Sequence, residues 1–259
     1  MLVQDVFSFL DELAPFSYAM DFDNSGLLAG DPSQPVQKIL VALDCTDSVV
    51  KKAREIGADL IVTHHPVIFD PLKTVTTGSI VHQLVSSGIS IICAHTNLDL
   101  ARGGVNDQLA RCLGLKCLEG LTPIPCADRE GKAVTEYLGR VSFLDEPMSP
   151  EDFAGFVKGR LGGNVRFVCG NRLVHRVAVC GGSGTDCLED AIRAGADALV
   201  TSEVKHHIFL LAAQQGITLI DAGHFHTEDV VVEPLCQQLR EAFPSAEVLA
   251  YHLAEIQVR

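Results

Sequence analysis

A repeat constrains this chain more than any other feature. The segment VALDCTDSVVKKAREIGADLIVT, Val41 to Thr63, is echoed by VAVCGGSGTDCLEDAIRAGADALVT, Val177 to Thr201. Each reads as an apolar β-branched run, a helical stretch, a Gly-Ala-Asp turn (57–59 and 195–197) and a second apolar run ending in Val-Thr. The echo continues. GISIICA (88–94) leads into His95, and GITLIDA (216–222) leads into Gly223-His224. A strand–helix–strand–helix–strand order met twice predicts two pseudo-repeated α/β domains with mainly parallel central sheets. In such sheets ligands gather at the carboxyl ends of the strands.

The chain's 259 residues suffice for two such domains. The reading places the first at 1–124, with 222–259 returning to it, and the second at 125–221. Lys38 to Leu43 is a buried strand. Asp47 to Gly57 is a helix capped by Asp47 or Ser48. Leu60 to Thr63 and Ile89 to Ala94 are further strands, with a helix over Ile80 to Ser87 between them. Leu121 to Asp128, with two prolines, reads as a connection. Glu136 to Phe143 reads as a strand, and Met148 to Leu161 as a helix started by Ser149-Pro150.

Composition excludes several classes. The 20 basic against 33 acidic residues give a net charge of −13, with no basic cluster. Such a chain repels a phosphate backbone, so nonspecific nucleic-acid binding is not expected. No apolar run reaches the ~18–20 residues of a membrane helix. The N-terminal MLVQDVFSFLDEL is an amphipathic helix with Val3, Val6, Phe7, Leu10 and Leu13 on one face, and its acids argue against a secretory signal. Nine scattered cysteines without a CxxC point to buried thiols and a cytoplasmic location.

The histidines carry the chemistry. His64-His65, His95, His206-His207 and His224 with His226 all fall where proposed strands end. His95 is followed four residues on by Asp99, and His224 four residues on by Glu228. On a helical turn each pair would share one face. Imidazole with carboxylate suits Zn, Mn, Fe or Ni. His82, His175 and His252 read as structural residues. Cys93 and Cys180 lie inside apolar strands and are not expected to be nucleophiles. The run Gly181-Gly182-Ser183-Gly184 suits a tight strand-to-helix turn at least as well as a phosphate-cradling loop.

Five segments together resemble the Nif-three-like family: DNSGLL (23–28), THHPVIF (63–69), AHTNLD (94–99), GGVND (103–107) and GHFHTE (223–228). Its members are dinuclear-metal-centre proteins, often called GTP cyclohydrolase type-two homologues. The resemblance spans nearly the whole chain. It implies two α/β domains of similar fold in the compact form, without a large inserted domain, and a homohexameric toroid. It also implies two divalent ions per chain, identity open among Zn, Mn, Fe and Ni, held by His64, His65, Asp99, His224 and Glu228. His95 lies in the same motif and is expected behind the ligands or as a catalytic group. The family's Thr-Gly-Asp/Glu segment followed by Tyr/His-His appears here as Thr201-Ser202-Glu203 and His206-His207, with Glu203 and His207 expected to face the pocket.

Two functions are open to such a chain. The first is a dinuclear metal-dependent hydrolase with His95, His207 and Glu203 as catalytic residues and a small-molecule substrate of the nucleotide class. The second is a metal-bearing hexameric scaffold that binds a partner without turnover.

Overall fold

Runs such as KILVA (Lys38–Ala42) and LIVT (Leu60–Thr63) show no alternation of polar and apolar residues, which marks strands covered on both faces. In the computed structural model, which describes residues 1–256, nearly every residue of both runs is buried. The chain divides into two compact units. The first comprises residues 1–101, 127–133 and 232–253, and the second comprises residues 102–126, 134–231 and 254–256.

The first unit contains, in chain order, α1 (Val3–Leu13), β1 (Gly26–Ala29), β2 (Lys38–Ala42), α2 (Asp47–Ile56), β3 (Leu60–Thr63), α3 (Ile80–Ser86), β4 (Ser90–Cys93) and α4 (Thr96–Leu100). Its sheet runs β1-β4-β3-β2 and ends on a C-terminal strand, Glu247–Tyr251. All pairings are parallel except β1 with β4. Leu40, Ile61 and Ile91 from the strands pack with Val49, Val50, Ala53 and Leu84 from α2 and α3. The cap of α2 is Thr46, whose Oγ1 accepts from Val49 N at 3.3 Å. Asp47 and Ser48, the capping residues expected from sequence, are already helical.

The second unit contains α5 (Val105–Cys112), β5 (Lys116–Ala127), β6 (Ala133–Met148), α6 (Pro150–Leu161), β7 (Arg166–Val168), β8 (Val174–Val179), α7 (Leu188–Arg193), β9 (Ala198–Thr201), α8 (His206–Gln215), β10 (Thr218–Asp221) and α9 (His224–Glu228). Its sheet order is β5-β6-β8-β9-β10-β7. The central β8, β9 and β10 are parallel; β6 and β7 flank them antiparallel. The stretch 121–128, expected as a connection, is instead largely β5. It tolerates Pro123 and Pro125 because β5 is an edge strand, and residues two apart turn their missing N–H groups to the same side. The sequence reading keeps 102–124 and 222–231 with the first domain. In the structure they fall in the second unit, where Leu109, Ala110, Leu113 and Leu115 bury against Val177 and Val200. The C-terminal helix α10 (Val232–Ala242) and strand β11 (Glu247–Tyr251) complete the first unit.

The repeat holds bond for bond. Gly57 and Gly195 end their helices with φ of 68° and 70°, a left-handed region that favours glycine. The next alanine closes each turn: Ala58 N donates to Ala53 O at 2.8 Å, and Ala196 N to Ala191 O at 2.9 Å. The aspartate then ties the new strand to the old one. Asp59 Oδ2 accepts from Gln37 N and Lys38 N at 2.8 and 3.0 Å. Asp197 Oδ2 accepts from His175 N and Arg176 N at 3.0 and 2.7 Å. In this register Val41, opposite Val62, corresponds to Val179, opposite Val200. The spacing from Lys38 to Val62 equals that from Arg176 to Val200, so the two-residue mismatch lies only in where the sequence segments begin. Among the described residues no helix is long and apolar enough to cross a membrane.

Candidate metal centre

The THHP segment begins where β3 stops. His64 N and His65 N both donate to Leu43 O, at 3.2 and 2.9 Å, so the strand end is held while two imidazoles leave it in succession. His64 is buried and His65 is half-buried. His95 follows β4 and precedes α4. The rings of His64, His65 and His95 lie 5.0–5.5 Å apart between centroids. One ligating nitrogen from each falls within 4.8 Å of the others, so this cluster could hold a metal ion. Asp99, buried on α4, points Oδ1 at His64 Nε2 across 3.6 Å.

The tautomers follow from the partners. His64 Nδ1 lies 2.9 Å from Ala94 O, which can only accept, so Nδ1 carries the proton and Nε2 the lone pair. His65 Nδ1 meets Asp44 Oδ1, and His95 Nδ1 meets Asp23 Oδ1, each at 2.7 Å. All three rings therefore present Nε2. With His64 Nδ1 protonated, Nε2 and Asp99 Oδ1 are two acceptors face to face. That arrangement asks for a cation or a proton between them.

Asp23 explains DNSGLL. Its side chain is buried and accepts from Thr96 N at 3.0 Å, Thr96 Oγ1 at 2.6 Å and Ser25 Oγ at 2.9 Å as well as from His95. Burial pushes its pKa up, but the hydrogen bonds from His95 and Thr96 outweigh it and hold the carboxyl well below the usual range. Asn24 Nδ2 donates to Ile68 O at 2.6 Å, fastening the loop after THHP. Reading the histidines alone missed Asp23 and Asp44. The signal for Asp23 was present, because DNSGLL travels with the histidine motifs; Asp44 had none beyond its place after a strand.

The second unit carries a group of its own on α9. His224 Nε2 is 2.9 Å from Glu228 Oε2, and its Nδ1 is 2.7 Å from Glu203 Oε1. One neutral imidazole has a single proton for two carboxylates, so this group too favours an added positive charge. Glu228 is buried, whereas Glu203 is exposed and adopts φ of 54°. A left-handed glutamate is strained, and here it delivers the carboxylate to His224. Ser202 turns inward and donates to Gly182 O at 2.6 Å.

The GGSG run is a scaffold turn. Gly182 N donates to Thr227 Oγ1 and Gly181 N to Asn106 Oδ1, at 3.0 and 2.9 Å. Gly182 has φ of 60°, a region that favours glycine, and a Cβ there would meet the carboxylate end of Glu228. GGVND supplies the Asn106 clamp, while Asp107 pairs with buried Arg140. His207 is exposed at the start of α8, and among the described residues no hydrogen bond or ion pair ties it to His224. His226 packs instead on Gly163, where a Cβ would come within 2.4 Å of its ring. His175 lies against Phe143, a structural use. Cys93 is buried, which pushes its thiol well up.

The model of the DUF34/NIF3 family (NGG1p interacting factor 3) matches residues 1–257. The chain belongs to this family. A GTP cyclohydrolase 1 type 2 homolog of Clostridium perfringens is 33% identical over 251 residues, covering 95% of this chain and 94% of the relative. One from Streptomyces coelicolor is 36% identical over 235 residues, covering 87% and 81%. Among solved structures, the Staphylococcus aureus hypothetical protein SA1388 superposes with a TM-score of 0.92 at 32% identity, covering 100% of this chain and 99% of that one. A Bacillus cereus protein related to NIF3 gives 0.91 at 26%, with the same coverage.

Proposed function

We propose that this DUF34/NIF3 protein is a dinuclear metal-dependent hydrolase. His64, His65 and Asp99 of the first unit and His224 and Glu228 of the second would hold two divalent ions of the Zn, Mn, Fe or Ni class. The observation that carries the reading is shared orientation. Each of these histidines meets an acceptor through Nδ1, which directs Nε2 away from it. Metal ligation requires that of a protein, and core packing does not. Bound ions of this kind supply Lewis acidity and lower the pKa of water.

The chain's own residues supply the rest. Asp23 orients His95, which can then take or give a proton at Nε2. Glu203 fixes the ring of His224. The names of the curated relatives support a nucleotide substrate; with GTP, water would add at C8 and open the imidazole ring. The resemblance supports a homohexamer, which light scattering would test. Nine free thiols support a reducing compartment.

The decisive experiment reconstitutes the protein separately with Mn, Fe and Zn and assays GTP with a panel of nucleotides and phosphoesters. Metal-dependent turnover lost in Glu228→Gln, with about two ions per chain by elemental analysis, is the expected result. A ratio that stays at one ion in excess metal removes the dinuclear reading. Two tightly held ions with no turnover leave a metal-bearing scaffold.

A further inference from the structure

A cavity lined by no histidine opens elsewhere in the second unit. It occupies about 660 Å³, between α5 and the start of β5 and β6. That is within the range of small-molecule sites, roughly 300–1,000 Å³. Its charge runs against that of the chain. Arg102, Arg111, Lys116 and Arg140 line it, against Asp107 and Glu136. Basic residues thus outnumber acidic ones here, whereas the whole sequence has 20 against 33.

The cations differ in their commitments. Arg140 is buried and fixed by Asp107 and by the carbonyls of Tyr137 and Gly139, at 2.6 and 2.9 Å, so its charge is held in place and balanced. Lys116 reaches Asp145 at 3.0 Å, with both side chains largely in solvent. Arg102 and Arg111 are exposed, and among the described residues neither guanidinium makes a hydrogen bond or an ion pair. Two guanidinium groups free to fork onto an anion, beside a third held rigid, are the groups that recognise phosphate oxygens.

We propose that this cavity is a binding site for a small phosphorylated molecule, held by Arg102 and Arg111, and that it works independently of the metal centre. Steering is its second consequence. In an acidic protein a local cationic mouth draws in an anion that the remaining surface repels.

The test is calorimetric titration of the full-length protein with pyrophosphate, with orthophosphate and ADP as parallel arms. Saturable binding of one pyrophosphate per chain that weakens with added salt is expected. Arg102→Gln and Arg111→Gln should each lower affinity about tenfold or more. Both side chains are exposed and make no bonds, and circular dichroism should show the variants folded. His65→Ala and chelator should leave the affinity unchanged. ADP binding tighter than pyrophosphate would identify a nucleoside ligand, and equal affinities would identify the phosphates as the recognised group. The proposal fails if no saturable binding is seen. It fails too if the double Arg102→Gln, Arg111→Gln variant binds as well as the parent. Loss of binding in His65→Ala or with chelator would also overturn it, because the anion would then be sitting on the metal.

Discussion

The two repeats share a backbone and differ in what they place at the strand ends. After β3 the chain reads His64-His65; at the corresponding point after β9 it reads Ser202-Glu203. After β4 and β10 the backbones still agree. Ala94 N donates to Thr63 O and Ala222 N to Thr201 O, both at 2.9 Å. A short helix follows each strand, capped by His95 in one unit and Gly223 in the other. The first unit thus gathers three imidazoles, while the second sets one imidazole between two glutamates. A duplicated framework needs its hydrogen-bond ladder, and the ladder is kept. The loops beyond the strands carry no such duty, so there the two copies are free to take different donors.

The largest expected effect tests whether these unlike halves serve one function. Saturating metal stabilises the native state by RT ln(1 + [L]/Kd), about 2.7 kcal/mol at 100-fold excess over Kd. Chelation should lower the melting temperature accordingly. His224→Ala should blunt that response as much as His65→Ala does. Thermal melts in which His224→Ala keeps the full metal shift would separate the halves.

A smaller effect tests the shared framework. Asp59→Ala and Asp197→Ala each remove an acceptor from two strand N–H groups, so each should cost on the order of 1–3 kcal/mol. Chemical denaturation should find the two losses alike. A large loss in one and none in the other would break the correspondence between the repeats.

The smallest effect on stability sharpens the difference at Glu203. Replacing it with glycine relieves a left-handed backbone and should stabilise the fold by about 1 kcal/mol. The same change removes the acceptor at His224 Nδ1, so metal affinity should fall roughly 10–100-fold. Glu203→Gln, which keeps an acceptor and the strain, should weaken metal less. Equal metal affinity in all three proteins would reduce Glu203 to a turn residue.

Local pattern determined a great deal. The doubled strand–helix–strand order, the Gly-Ala-Asp turns and the histidines at strand ends all follow from short-range rules: apolar runs make buried strands, and glycine ends helices. The DUF34/NIF3 family was legible in the five motifs. Two local readings failed where context overrode propensity. The prolines of 121–128 are accommodated on a sheet edge, and the cap of α2 is Thr46 rather than Asp47 or Ser48. Tertiary structure alone decided which carboxylates orient His95 and His65. Asp23 and His95 are 72 residues apart and Asp44 and His65 are 21 apart, and no local rule pairs them. It also assigned Gly182 its role, since only folding brings Glu228 against that backbone. The physical reason is reach. Helix and strand propensities act within a turn or two, whereas a ring's orientation depends on an acceptor delivered by chain closure from elsewhere in the sequence.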